Sequence, residues 1–143
     1  MEVVISPLGA TVLRIILGVV YIAHGYYVFD VLTVDALSAM ITKRLGMPVG
    51  DYVTTYLLFA HLVGGVLMIL GIFTRWAAMA NLPIMVGAVV LFQFQEGFFL
   101  HGVIIDAARG KVEVAGYEYA LVVLAATLAQ CFLGTGAMGL TKD

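Results

Sequence analysis

Four side chains that are charged or strongly polar in water, Arg14, His24, His61 and Glu118, lie inside long apolar runs of a 143-residue chain. An ionisable group in hydrocarbon costs roughly 3 kcal/mol on insertion scales, so each is expected to face another helix or a wet cavity and to find a partner there. The chemistry open to such a set is hydrogen bonding and proton movement in a dry interior. Each residue also has a structural explanation. Arg14 would serve as a structural ion bonded to carbonyls and side-chain amides, or snorkelling to the membrane edge. Glu118 would be an ordinary acid at a helix N-terminus, favoured by the macrodipole. His24 would bond Glu118 or a backbone carbonyl. His61 falls near the bilayer midplane, where an imidazole has to be satisfied from inside the protein, whether for structure or for redox or proton chemistry.

The elements that position these residues are membrane helices. The chain is 63% hydrophobic and 11% charged, with a mean hydropathy of +1.09, whereas a soluble domain averages about 45–50% apolar and about 25% charged. Four runs are long enough to span, at about Leu8 to Phe29, Tyr52 to Phe73, Trp76 to Phe94 and Gly116 to Leu133, since roughly 20 residues at 1.5 Å rise cross a core of about 30 Å. The expected fold is therefore all-α: a four-transmembrane-helix antiparallel bundle forming a single membrane domain over residues 1–143. Ser6-Pro7 starts the first helix, because proline is preorganised for the first turn. Arg14, Gly18, Tyr21, Gly25 and Val28 share one stripe with His24 beside it, and the glycines allow a close helix neighbour. Between the first two spans, Val34, Leu37, Ile41 and Leu45 recur against Asp35, Lys43 and Arg44, which describes a short amphipathic interfacial helix ended by Gly46-Met47-Pro48. His61, Gly64, Gly65, Met68 and Ile72 share a face of the second span. A tight turn at Thr74-Arg75 makes the second and third spans antiparallel neighbours. The third carries Asn81, Met85, Ala88, Phe92 and Gln95, with a kink at Pro83. The alternation Lys111, Val112, Glu113, Val114 after Arg109-Gly110 suggests a small hairpin. Gly134-Thr135-Gly136 stops the last helix.

Depth sorts the polar residues into layers. Arg14, Asn81 and Gln130 fall roughly 7–10 Å in from the side holding the termini and could form one cluster. His24, Gln93 and Glu118 fall nearer the opposite side, with Tyr26, Tyr27, Tyr117 and Tyr119 in the aromatic-belt zone. Such layers suit a polar path or an elongated amphipathic pocket. Basic residues near short loops tip that opposite side, which carries Lys43, Arg44, Arg109 and Lys111 against Arg75 and Lys142, toward the cytoplasm.

Several function classes are excluded. A net charge of −2 offers no basic surface for nucleic acid. The lone Cys131 forms neither an internal disulfide nor a CxxC pair. No carboxylate cluster for two metals, nucleophile elbow or phosphate loop is present. A haem is disfavoured, because His24 and His61 fall about 6 Å apart along the membrane normal and glycine-mediated helix contact leaves little room. With no basic stretch at the start and Arg14 interrupting the first apolar run, a cleaved signal is not expected.

Taken in order, Leu13-Arg14 through Gly18 to His24-Gly25, Gly46-Met47-Pro48, Gly64-Gly65 through Leu70-Gly71 to Thr74-Arg75, Gly116-Tyr117-Glu118-Tyr119-Ala120 and Gly134-Thr135-Gly136 resemble the DoxX/DoxD family of small four-helix membrane proteins. The resemblance implies a multi-pass protein of a bacterial or archaeal inner membrane, associated with oxidoreductases; namesake relatives form the membrane part of a thiosulfate:quinone oxidoreductase. Two positions depart from the family pattern: a frequent glutamate before the Gly-Gly pair is His61 here, and a frequent lysine of the first helix is Val28.

The leading functional expectation is an integral membrane subunit of a redox assembly that docks a quinone-type carrier and anchors partner subunits. A quinone site needs hydrogen-bond partners for two oxygens and an apolar slot; Arg14, His24, His61 and Glu118 are the candidates, supported by Asn81, Gln93 and Gln130. The alternative is a non-enzymatic membrane scaffold or assembly factor whose polar layers only lock helix packing. A small transporter has less support, since no inverted repeat is visible.

Overall fold

A backbone in lipid must satisfy its own polar groups within the segment, so the apolar runs become helices. The computed structural model describes residues 7–46, 49–106 and 111–142. In chain order these form helix α1 (Pro7–Tyr27), continued by a π-helical turn over Val28–Leu32; α2 (Val34–Leu45); α3 (Val49–Leu70); α4 (Thr74–Gly87), continued by a π turn over Ala88–Gln93 and a 3₁₀ turn over Phe94–Glu96; strands β1 (His101–Asp106) and β2 (Lys111–Ala115); and α5 (Glu118–Leu133). The two strands pair antiparallel, so the alternating segment does form a hairpin. Ser6, Met47-Pro48 and Arg109-Gly110, read above as helix start, stop and turn, lie outside the described residues.

Three helical stretches, Pro7–Leu32, Val49–Leu70 and Thr74–Glu96, are long and apolar enough to cross a membrane. The fourth expected span is shorter than its apolar run. Gly116 and Gly134, at φ 111° and 69°, leave the helical region, and the 16 residues between Glu118 and Leu133 rise only about 24 Å.

Helix packing follows the small-residue stripes. α1 packs on α3, α3 on α2 and α4, and α5 on both α4 and α1. Arg14, Gly18, Tyr21, Gly25 and Val28 are all buried, while His24 beside them is exposed. A Cβ built on Gly18 would lie 2.6 Å from the Gly65 carbonyl oxygen, and one on Gly65 would lie 2.8 Å from that of Gly18. Only hydrogen fits at either position, so the two backbones meet in van der Waals contact where no hydrophobic force between helices exists to substitute for it.

The end of α3 is closed by chain geometry that needs a left-handed residue. Gly71 has φ +66°; its amide donates to the Met68 carbonyl at 3.1 Å and that of Ile72 to the Leu67 carbonyl at 2.9 Å. This is the paired bonding of a Schellman cap. Three residues later α4 is under way, after Phe73 at φ 46°.

One buried group contributes nothing to this scheme. The Thr54 hydroxyl, in α3, is 0% exposed and has no hydrogen-bond partner among the described residues. A buried, unsatisfied hydroxyl costs about 1–3 kcal/mol, and an isosteric methyl does not. Thr54→Val is therefore expected to raise the thermal midpoint by an amount equivalent to about 1 kcal/mol; a lower midpoint in a detergent melt would show that the hydroxyl is satisfied.

Candidate functional site

The polar residues of the interior separate into distinct stations. At one end sits Arg14, 1% exposed. Its Nε donates to the Thr135 carbonyl at 2.9 Å, one terminal nitrogen to the Met68 and Ile69 carbonyls at 2.7 and 2.6 Å, and the other to the Met138 carbonyl at 2.5 Å. All four bonds go to main-chain oxygens. Two of those belong to the last turn of α3, where the macrodipole favours a cation. The guanidinium thus joins α1, α3 and the segment after α5. The same segment is laced further: the Ala137 amide donates to the Pro7 carbonyl at 3.1 Å and the Thr141 amide to the Gly71 carbonyl at 3.0 Å. Gln130 turns its amide nitrogen to the Gly134 carbonyl at 2.5 Å. No hydrogen bond joins Arg14, Asn81 and Gln130 to one another among the described residues, so the cluster expected from their depth is not formed.

Asn81 instead serves His61. Its Nδ2 donates to the Ala60 carbonyl at 3.0 Å and the Ala77 carbonyl at 2.9 Å, while Oδ1 lies 2.8 Å from His61 Nδ1. Gly64 makes room for this amide, since a Cβ there would lie 2.8 Å from Nδ2. The His61 ring, 5% exposed, rests against Tyr21 with ring centroids 4.8 Å apart. Tyr21 in turn shares a short hydrogen bond with Thr127 of α5. A line of side chains therefore runs from α4 through α3 and α1 to α5.

Tyr21 and His61, the middle of that line, form one wall of a cavity of about 160 Å³. Every helix contributes to it: Val20, His24 and Val28 from α1 and its π turn, Leu37 from α2, Leu57 from α3, Ile84, Met85, Ala88 and Gln93 from α4 and its π turn, and Tyr119, Ala120 and Val123 from α5. The π turns after α1 and α4 supply Val28, Ala88 and Gln93. Such turns shift side-chain direction within an otherwise regular helix and are frequent at functional sites. Arg44 of α2 sits over the Phe92 ring, 5.9 Å from its centroid, a cation–π contact that ties α2 to the π turn. His24 lies at the more open side, its Nδ1 2.9 Å from the Val20 carbonyl and its ring stacked on Tyr119 at 6.1 Å.

Glu118 stands apart from the cavity. Its Oε1 accepts from the Leu100 amide at 3.2 Å and its own amide donates to the Phe98 carbonyl at 3.0 Å. It holds the chain after α4 to the first turn of α5. Of the seven residues singled out from the sequence, the structure gathers His24, His61 and Gln93 around one cavity with Asn81 behind them, and places Arg14, Gln130 and Glu118 elsewhere. Tyr21 and Thr127 were not singled out. Tyr21 carried a signal, being on the same stripe as Arg14 and Gly25; Thr127, one hydroxyl in an apolar run, carried none. Among the described residues no group of three or more His, Cys, Asp or Glu side chains is placed to hold a metal ion.

A single ring can enter such a space, since an apolar cavity of about 150 Å³ is known to take a benzene.

Among known protein families, the model described as DoxX matches residues 9–94. The matched stretch contains Arg14, His24, His61, Asn81 and Gln93 and stops before Glu118 and Gln130. No curated protein and no solved structure matches the chain.

Proposed function

The chain belongs to the DoxX family, and from that premise we propose that this multi-pass membrane protein docks the ring of a quinone-type carrier beside His61 within a redox assembly of a bacterial or archaeal inner membrane, and anchors partner subunits there. The observation that carries the reading is the ring-sized cavity where all five helices meet, lined mostly by apolar side chains and reached by the buried imidazole. An isoprenoid tail would lie outside it, along the exposed apolar helix faces. Around this site we take the helices to be an antiparallel four-helix bundle, with α5 the shortest member once the continuation of α4 to Glu96 is counted, and α2 at the membrane interface. The short α3–α4 connection favours that arrangement, as does the exposure of Lys43 and Arg44 opposite buried Ser38 and Ile41.

His61→Ala is the direct test. In the purified assembly, prepared without oxygen, the substitution is expected to lower quinol turnover and the total co-purifying carrier, quinol plus quinone, by about tenfold, the effect of about 1.4 kcal/mol of lost binding. Unchanged turnover together with unchanged carrier content removes His61 from the site.

One observation favours a scaffold function instead. Arg14 spends its donors on the protein's own carbonyls, which makes that end of the molecule a packing device. Under the scaffold reading, mild-detergent purification yields partner proteins and no carrier.

A further inference from the structure

The polarity of the cavity's inner wall is set by bonds made behind it. Carbonyl oxygens only accept, so the Asn81 nitrogen must be the atom facing the Ala60 and Ala77 carbonyls, at 3.0 and 2.9 Å. That leaves Oδ1 toward His61, 2.8 Å from Nδ1, and an acceptor at that position requires the proton on Nδ1. In a neutral imidazole the other nitrogen, Nε2, is then an acceptor. Among the described residues nothing donates to it. Tyr21 has no proton to spare. The Thr127 hydroxyl donates to the Val123 carbonyl at 2.7 Å, so in the short bond between them Thr127 accepts and Tyr21 donates. The deep side of the cavity therefore presents lone pairs. Groups able to donate, the Gln93 amide and the Tyr119 hydroxyl, lie at its less buried side.

We infer that the site selects the hydroxyl-bearing, reduced form of a single aromatic ring, a quinol or phenol whose O–H donates to His61 Nε2, over the oxidised quinone. A quinone carbonyl brought to the same place would oppose one lone pair with another and leave both unsatisfied beside a ring that is almost wholly buried, which is the expensive case. Asn81 is a positioning residue here: it touches no ligand and acts by fixing which imidazole nitrogen carries hydrogen. The inference rests on the ring-docking reading above and adds the redox state of the ring.

The test uses the whole chain in detergent, titrated by calorimetry without oxygen with 2,5-dimethylhydroquinone, with 2,5-dimethyl-1,4-benzoquinone and with para-xylene, a ring of similar outline that has no oxygen. The hydroquinone is expected to bind about tenfold more tightly than the quinone, the scale of one hydrogen bond made against one left unmade. It is also expected to bind more tightly than para-xylene. His61→Ala is expected to bring the hydroquinone and quinone within about twofold of each other. Should that variant fail to fold, the three ligands on the wild-type chain still decide. Equal binding of hydroquinone and quinone, or tighter binding of the quinone, overturns the inference and leaves ring docking standing. If none of the three binds, ring docking falls and this inference with it.

Discussion

Replacing Arg14 with leucine is expected to remove most of the folded protein from a detergent extract and to lower the thermal midpoint of what remains more than any other single change. The guanidinium makes four hydrogen bonds to carbonyls at Met68, Ile69, Thr135 and Met138. Bonds from a charged donor contribute about 1.5–3 kcal/mol each, and their removal strands buried acceptors. Breaking such a site without replacing its partners costs on the order of 4 kcal/mol, against a total stability of about 5–15 kcal/mol. Lysine is expected to recover only part of the loss. Its ammonium is a point charge with three donors and cannot span the fork from α3 to the segment after α5. Size-exclusion profiles and melts of wild type, Arg14→Lys and Arg14→Leu provide the ranking. A leucine variant as stable as wild type would mean that those carbonyls find other donors.

Gly65→Val is expected to have the next largest effect. A Cβ at this position would lie 2.8 Å from the Gly18 carbonyl oxygen and 2.7 Å from Ile22 Cγ1, and the reciprocal site at Gly18 is as tight. Neither obstacle is the loose tip of a long side chain, so α1 and α3 have to separate. Overpacking of a rigid contact costs about 1–3 kcal/mol, and two β-branched methyl groups place this case at the upper end. Gly9 provides the control, because a Cβ there meets nothing within 4 Å and alanine is the better helix former by up to about 1 kcal/mol. The melts of Gly65→Val and Gly9→Ala are thus expected to move in opposite directions. Equal midpoints would mean that the helix contact is looser than its geometry implies.

Periodicity and polarity made the helices legible, and the stripe from Arg14 through Tyr21 to Val28 was readable because five residues at spacings of three and four leave one face. The need of Arg14 for internal partners was also legible, since its cost in lipid is a property of the side chain alone. The partners themselves were not. They are main-chain oxygens 54 to 124 residues away, and a carbonyl has no letter in the sequence. Depth counting grouped Arg14 with Asn81 because it measures height along the membrane normal and is blind to azimuth. Asn81 faces across to α3 and meets His61 instead. The family pattern drew attention to position 61, where histidine stands in place of a frequent glutamate, yet the atom His61 offers to the cavity follows only from the orientation of the Asn81 amide. The π turns that deliver Val28, Ala88 and Gln93 escaped notice because one extra residue in a turn leaves the hydrophobic pattern almost unchanged.

The wiring of Arg14 also imposes a schedule on biogenesis. Two of its four acceptors, at Thr135 and Met138, lie 121 and 124 residues downstream. At a translation speed of about 5–20 residues per second they emerge roughly 6–25 s after the arginine itself. Over that interval a cationic helix must be held by the translocon, by lipid phosphates or by α3 alone. A ribosome that stalls short of Thr135 leaves behind a chain whose charge is never fully lodged, which gives membrane quality control a ready mark of an unfinished product.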